Sequence, residues 1–247
     1  MTRFSVIAIA SLSIGVAGLF LAQPAPAAGH EKVLQVVTVS VEPGKLDDYR
    51  KQVEKLDEVL KRADSSAVMR MWNTTQGGAD AGQIMVALEY PDAASWAADA
   101  PKVQGDSKWR DIIDDLDEIR TLEASSMWRE ITPTPSAGAT KPRPGSVLVV
   151  TGVAVKPGKL DAYLDRLTAG QAITDRLKLG GKLRVWQATL AGPNTGNVAI
   201  GVESTSLAAY VADQAKLRSD PEWRKLMGRL ADLRTIAGRW LYQEITP

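Results

Sequence analysis

The sequence contains one unit written twice, and this duplication constrains the fold more than any other feature. Residues 33–133 align with residues 147–247 at a constant offset of 114 without a gap, and 32 of the 101 positions are identical. Both copies end in Glu-Ile-Thr-Pro. Residues 134–146 between them are rich in Pro, Gly and Ser and lack apolar periodicity, which predicts a linker. A repeat this long indicates two domains rather than a solenoid.

Each copy has the same predicted order of secondary structure. β-Branched runs predict first strands at 33–41 and 147–155, each followed by Pro-Gly and a helical segment. Alternating runs at 67–75 and 83–90 predict a hairpin, a second helical region begins near Ala93, and final strands lie at 125–131 and 239–245. The fold class is therefore α+β, with two tandem ferredoxin-like β-α-β-β-α-β repeats. Because each sheet would leave one apolar face uncovered, we expect an intramolecular pseudo-dimeric α+β barrel.

Residues 1–27 have the features of a secretory signal peptide. Arg3 supplies a short positive region, residues 6–22 form an uncharged apolar run, and Ala25-Pro26-Ala27 fits a small-x-small cleavage site. The alternative, an uncleaved membrane anchor, is disfavoured because the run is short for a bilayer span and is diluted by Ser and Gly. The sequence therefore predicts a periplasmic or secreted protein with no membrane association after cleavage.

The composition excludes several classes of function. The chain has 30 Lys+Arg and 29 Asp+Glu, so no nucleic-acid or anionic-membrane partner is expected. With no Cys and one His, it lacks disulfides, thiol nucleophiles and any two-imidazole site. If cleavage follows Ala27, His30 becomes the third residue, and its imidazole with the terminal nitrogens could bind Cu(II) or Ni(II). The alternative is an incidental His in a flexible tail.

Short motifs support a resemblance to a known superfamily. Pro43-Gly44-Lys45-Leu46-Asp47 after the first strand, its copy at 157–161, and the later Asp-x-x-Trp-Arg of both copies resemble the dimeric α+β barrel superfamily. The nearest branches are the antibiotic-biosynthesis-monooxygenase-like and NIPSNAP-like domains. The resemblance implies small-molecule chemistry, which ranges from cofactor-independent oxygenases of aromatic substrates to haem proteins. The haem branches rely on a His within the domain, and neither copy has one, so we expect no haem and no other resident cofactor.

Strand alternation assigns one face of each sheet to the lumen of the predicted barrel. No catalytic residue is assigned. The candidate ligand-binding residues are Arg70, Trp72, Glu89 and Trp128 in the first copy, and Arg184, Trp186, Glu203, Trp240 and Tyr242 in the second.

The second copy is the favoured side for a ligand. Gly201 and small neighbours beside Trp186 predict free space, Glu203 lies one diagonal step from Arg184, and Arg184 could hold an oxygen or carboxylate. The lumen would then bind a small aromatic or apolar molecule, as in a cofactor-independent monooxygenase-like enzyme. The alternative is a non-catalytic structural or interaction module, in which these Arg, Glu and Trp side chains fill the lumen and fasten the two halves.

Overall fold

The computed structural model describes residues 31–133 and 143–247, here called the N-terminal half and the C-terminal half. Each half has four strands, close to the predicted positions, but the last strand of each half begins about five residues earlier than predicted. The early start arises because β4 continues to pair with β1 beyond a bulge. The strands are β1 (Val33–Val41), β2 (Val68–Gln76), β3 (Ile84–Tyr90), β4 (Arg120–Glu130), β5 (Val147–Val155), β6 (Lys182–Leu190), β7 (Val198–Ser204) and β8 (Arg234–Glu244).

The second helical region predicted in each half is a pair of helices. In the C-terminal half the break occurs at Asp220, whose carboxylate accepts the backbone N–H of Trp223 at 2.9 Å and so caps a new helix that begins with Pro221. In the N-terminal half, Asp106 is extended and ends the earlier helix. The helices are α1 (Leu46–Arg62), α2 (Ala93–Gly105), α3 (Trp109–Asp117), α4 (Leu160–Arg176), α5 (Leu207–Ser219) and α6 (Pro221–Ala231).

The eight strands form one closed antiparallel barrel in the order β1-β3-β2-β8-β5-β7-β6-β4. The halves are joined by two strand pairs, β2 with β8 and β4 with β6, in which Trp72 lies opposite Glu244 and Trp186 opposite Glu130. Closure leaves none of these eight strands at a free sheet edge. The predicted α+β class, with an eight-stranded antiparallel sheet and six helices, is confirmed for the described residues.

Two separate apolar cores lie between the barrel wall and the helices. One contains Tyr49 and Met71, and the other contains Tyr163 and Val185, all four fully buried. Burying each such side chain contributes about 1.5–3 kcal/mol. These cores place the helices outside the barrel and leave the opposite strand faces to form the lumen. Within 31–133 and 143–247, no helix is long and apolar enough to cross a membrane.

Candidate functional site

The lumen is lined by the side chains that alternate with the helix-facing residues. Met71 packs against the helices, whereas its neighbour Trp72 faces the lumen, as the period of two requires. Trp72 lies opposite Met85 and Arg184 opposite Gly201, which confirms the predicted strand register.

Arg184 is held by carboxylates of the N-terminal half. Its Nη2 lies 2.7 Å from Glu130 Oε2, and its Nη1 lies 2.5 Å from Glu89 Oε2. The prediction that Glu203 holds this guanidinium is wrong. Glu130 is on β4, the hydrogen-bonded neighbour of β6, and Glu203 is already engaged in a bidentate contact with Arg70.

Arg70 makes the reciprocal contacts with the C-terminal half. Its Nη2 lies 2.7 Å from Glu203 Oε1 and 2.7 Å from Glu244 Oε2. Glu244 also accepts the Ser146 hydroxyl at 2.8 Å. Each arginine thus contacts two carboxylates of the opposite half and locks the two halves together. We call this buried layer the floor of the lumen; its members are Arg70, Arg184, Glu89, Glu130, Glu203 and Glu244.

Two carboxylates of the floor, on Glu130 and Glu244, have lowered pKa values. Burial alone would raise the pKa of Glu130, but the hydrogen bond from Arg184 outweighs it and holds the pKa below its usual range. Burial likewise opposes ionisation of Glu244, and the hydrogen bond from Arg70 lowers its pKa. In formal charge, the four carboxylates face two guanidinium groups and the Lys32 ammonium, which lies 3.2 Å from Glu89, so the excess is one negative charge.

Above the floor the lumen encloses a cavity of about 570 Å³. This volume lies within the range of about 300–1,000 Å³ typical of small-molecule sites. The wall is largely apolar, and five aromatic side chains contribute to it: Trp72, Trp128, Trp186, Trp240 and Tyr242.

Three glycines of the C-terminal half, Gly152, Gly201 and Gly238, make room for tryptophan rings rather than for a ligand. A Cβ on Gly201 would lie 2.5 Å from Cζ3 of Trp186, and a Cβ on Gly238 would lie 2.5 Å from Cη2 of Trp240. Gly152 also packs against the Trp240 ring. The prediction that Gly201 leaves free space beside Arg184 is therefore wrong.

The equivalent wall in the N-terminal half lacks such a ring. At the 114-residue offset, the position of Trp240 is occupied by Ser126, and Thr38 and Ala124 stand where the C-terminal half has glycines. All three side chains line the cavity. The cavity therefore extends along the N-terminal half as well as the C-terminal half, whereas the sequence favoured the C-terminal side.

Asp80 is a cavity residue that was not predicted from the sequence, because it lies in the loop between the two runs that predict the hairpin. Trp240 Nε1 donates to Asp80 Oδ2 at 2.7 Å, and Oδ1 accepts no hydrogen bond within the described residues. Burial, and secondly the Asp80 charge, raise the pKa of the nearby Tyr242 to about 12. The repeat alignment contains a signal that could have identified Asp80: both copies have a polar side chain at this position, since Asn194 is its equivalent.

The remaining predicted residues divide between cavity and floor. Trp128 donates its Nε1 hydrogen to the Ser126 hydroxyl at 2.9 Å, and Glu89 lies 3.2 Å from the Lys32 ammonium. His30 and the predicted cleavage site fall outside the described residues. Among residues 31–133 and 143–247, no cluster of three His, Cys, Asp or Glu side chains could hold a metal ion.

The fold and the lined lumen define an α+β barrel with an interior cavity, and comparison with known proteins gives this class a name. No protein-family model and no curated protein matches the sequence. Solved structures do match. A proposed monooxygenase from Lactobacillus acidophilus NCFM has a TM-score of 0.59 and 9% identity, over 87% of this chain and 93% of that one. An anthrone oxidase-like protein has a TM-score of 0.55 and 17% identity, over 88% and 92%.

These neighbours belong to the dimeric α+β barrel superfamily, in its antibiotic-biosynthesis-monooxygenase-like part. This chain shares their α+β barrel fold. The NIPSNAP-like resemblance stays a prediction.

The prediction that the protein has no cofactor is wrong, because it excluded haem. A haem-binding protein from Thermus thermophilus shares the fold, with a TM-score of 0.52 and 9% identity over 87% of this chain and 91% of that one, and chlorite dismutases do so as well. The absence of His from both copies therefore does not exclude haem. The cavity wall offers a thioether at Met85 and a phenol at Tyr242, two groups that ligate haem iron in proteins.

Proposed function

We propose that the lumen binds a small aromatic or otherwise apolar molecule, and that the protein is a monooxygenase-like enzyme acting on it. The observation that carries this proposal is the cavity of about 570 Å³ between the floor and the barrel mouth. Its aromatic wall offers ring faces for stacking, and the buried floor excludes water from one end.

The alternative from the sequence is a module whose lumen is filled by its own side chains. It describes the floor well, because six charged side chains close that end and fasten the halves. It does not account for the cavity of about 570 Å³ that Thr38, Ala124 and Ser126 help to line. This space favours the ligand-binding proposal.

Anthrone is a suitable probe, since a solved neighbour is named anthrone oxidase-like. Binding would quench the lumen tryptophans, and oxidation would convert anthrone and O₂ into anthraquinone and water. We expect Ser126→Leu to abolish binding by filling the cavity. Thr121→Leu, on the same strand but exposed, is the matched control and should bind normally. Equal binding by the two variants, or none by the wild type, would contradict the proposal.

Haem is the second candidate ligand, favoured by Met85 and Tyr242 in the cavity wall. When bound, haem would supply redox chemistry at its iron. The raised pKa of Tyr242 disfavours the phenolate, so Met85 is the better candidate iron ligand. Titration of the purified protein with haem tests this directly: a saturable shift of the Soret band that is lost in Met85→Leu supports haem, and no shift eliminates it.

Two further proposals concern architecture and location. We propose that the halves are tandem ferredoxin-like repeats that form an intramolecular pseudo-dimer, supported by the repeat alignment and the reciprocal ion pairs. We also propose export through a signal peptide at residues 1–27. N-terminal sequencing of protein from the producing cell tests the cleavage site, and a start at Ala28 is the condition for a copper site at His30.

A further inference from the structure

We propose that the lumen selects an organic cation: a protonated amine or a quaternary ammonium group on an apolar body. This inference rests on the proposed function and names the ligand class for the same cavity. It is carried by the balance of charge on the cavity wall, by the partners of the arginines, and by the aromatic faces.

Negative charge predominates on the cavity wall. Of the charged side chains that line it, two are guanidinium groups and four are carboxylates, namely Asp80, Glu89, Glu123 and Glu203. Two further carboxylates of the floor, on Glu130 and Glu244, also contact the arginines. Carboxylates in a cleft with low-dielectric walls focus their field into it and attract positive ligands.

Neither arginine is available to an anionic ligand. Arg70 and Arg184 each contact two carboxylates at 2.5–2.7 Å, and both side chains are more than nine-tenths buried. Lys32 also reaches the floor, where it lies 3.2 Å from Glu89. An anion in the cavity would therefore face the surplus carboxylates, and no described residue that lines the cavity offers it a free cationic group, contrary to the sequence-based expectation for Arg184.

The aromatic wall suits a cation, and two of its rings already contact one. The Arg70 guanidinium lies over the Trp72 ring at 4.4 Å from its centroid, and Arg184 lies over Trp186 at 5.0 Å. At the opposite end of the cavity, Trp240 holds Asp80 through one oxygen and leaves the other free of hydrogen bonds within the described residues. A ligand ammonium group placed here would meet a carboxylate beside an indole ring.

Three probes of similar size test the inference: phenyltrimethylammonium, its neutral isostere tert-butylbenzene, and the anion benzenesulfonate. Binding is measured by tryptophan quenching at low ionic strength. We expect the cation to bind about tenfold more tightly than the neutral probe, the ratio that corresponds to a partly desolvated cation–π contact. We expect the anion to bind most weakly.

Asp80→Asn tests the charge at the rim, because it preserves an acceptor for Trp240. We expect it to weaken cation binding by about fivefold or more, the ratio for a unit charge about 4 Å away at the dielectric constant of water. The neutral probe should be unaffected. Asp114→Asn is the matched control, since it removes the same charge from an exposed helix position and should change neither affinity.

The outcomes separate this inference from the proposed function. Equal or weaker binding of the cation than of the neutral probe overturns the cation preference and leaves a neutral-ligand lumen. Binding of anthrone but of none of the three probes does the same. If neither anthrone nor any probe binds, both proposals fail. An equal loss of cation affinity in Asp80→Asn and Asp114→Asn would show that only net charge matters and would remove the rim from the site.

Discussion

Replacing Arg70 with Met would measure how much the ion pairs of the floor contribute to the free energy of unfolding. The substitution keeps much of the side-chain volume but leaves Glu203 and Glu244 without their guanidinium partner, and the Glu244 side chain is completely buried. Removing one partner of a buried ion pair costs about 3–5 kcal/mol, because a buried charge remains uncompensated. We therefore expect Arg70→Met to lower the free energy of unfolding by about that amount at pH 7.

The cost should depend on pH with a defined sign. In the wild type the folded-state pKa of Glu244 is lowered, so its contribution to stability is present above the unfolded value of about 4.3 and is lost as pH falls through the folded value. Without Arg70, burial dominates and the pKa of Glu244 rises above the unfolded value. The variant then gains stability as pH falls from 7 towards 4, so its deficit should shrink.

Urea unfolding at pH 7 and pH 4, followed by circular dichroism, measures both effects. Urea is preferable to guanidinium salts, which would screen the charges. Arg62→Met is the matched control: Arg62 also makes a bidentate contact, with Asp106, but it is exposed and should cost no more than about 1 kcal/mol. A cost below about 1 kcal/mol for Arg70→Met, or one that is the same at both pH values, would refute a buried charged floor.

Three further predictions test separate features. Gly238→Ala should lower the free energy of unfolding by about 1–3 kcal/mol, since its Cβ would overlap Trp240, whereas Gly228→Ala, with open space around it, should not destabilise; urea unfolding compares them. Asp80→Asn should lower the pKa of Tyr242 from about 12 by removing the neighbouring negative charge, as read from the absorbance at 295 nm; an unchanged pKa would refute the electrostatic coupling of the two residues. The C-terminal half expressed alone should aggregate or dimerise, and a monomer in light scattering would contradict the pseudo-dimer.

Sequence pattern predicted the strands and their faces well, because alternation and β-branched runs are local signals. The period of two placed Trp72 in the lumen and Met71 in the core, and the hairpin register followed from it. The helix pairs were less accessible. The second helical region of each half was predicted as a single helix. In the C-terminal half, however, Asp220 is an N-cap residue and Pro221 is the first residue of a new helix, so the preceding helix ends there.

The candidate site was harder to predict, because its contacts cross the barrel. Glu203 lies one diagonal step from Arg184 on the neighbouring strand of the same half, but barrel closure brings Glu130 of the other half alongside instead. A small residue is also compatible with two arrangements. Gly201 could border an empty pocket or accommodate an aromatic ring, and only the packing of the surrounding side chains shows which of the two occurs. The first error therefore reflects pairing between strands of opposite halves, and the second reflects side-chain packing within one hairpin that no sequence pattern specifies.

The place of β8 in the barrel has a consequence for the timing of folding. β8 lies between β2 and β5, so the edge of β2 stays open, and Arg70 lacks Glu244, until a partner 174 residues further along the chain has been made. At ribosomal rates this interval lasts about 10–35 s. During synthesis the N-terminal half therefore exposes an unpaired strand edge and an arginine that lacks its carboxylate partners. Barrel closure is thus a late event that awaits the C-terminal half, and a chaperone that shields β2 would act in that interval.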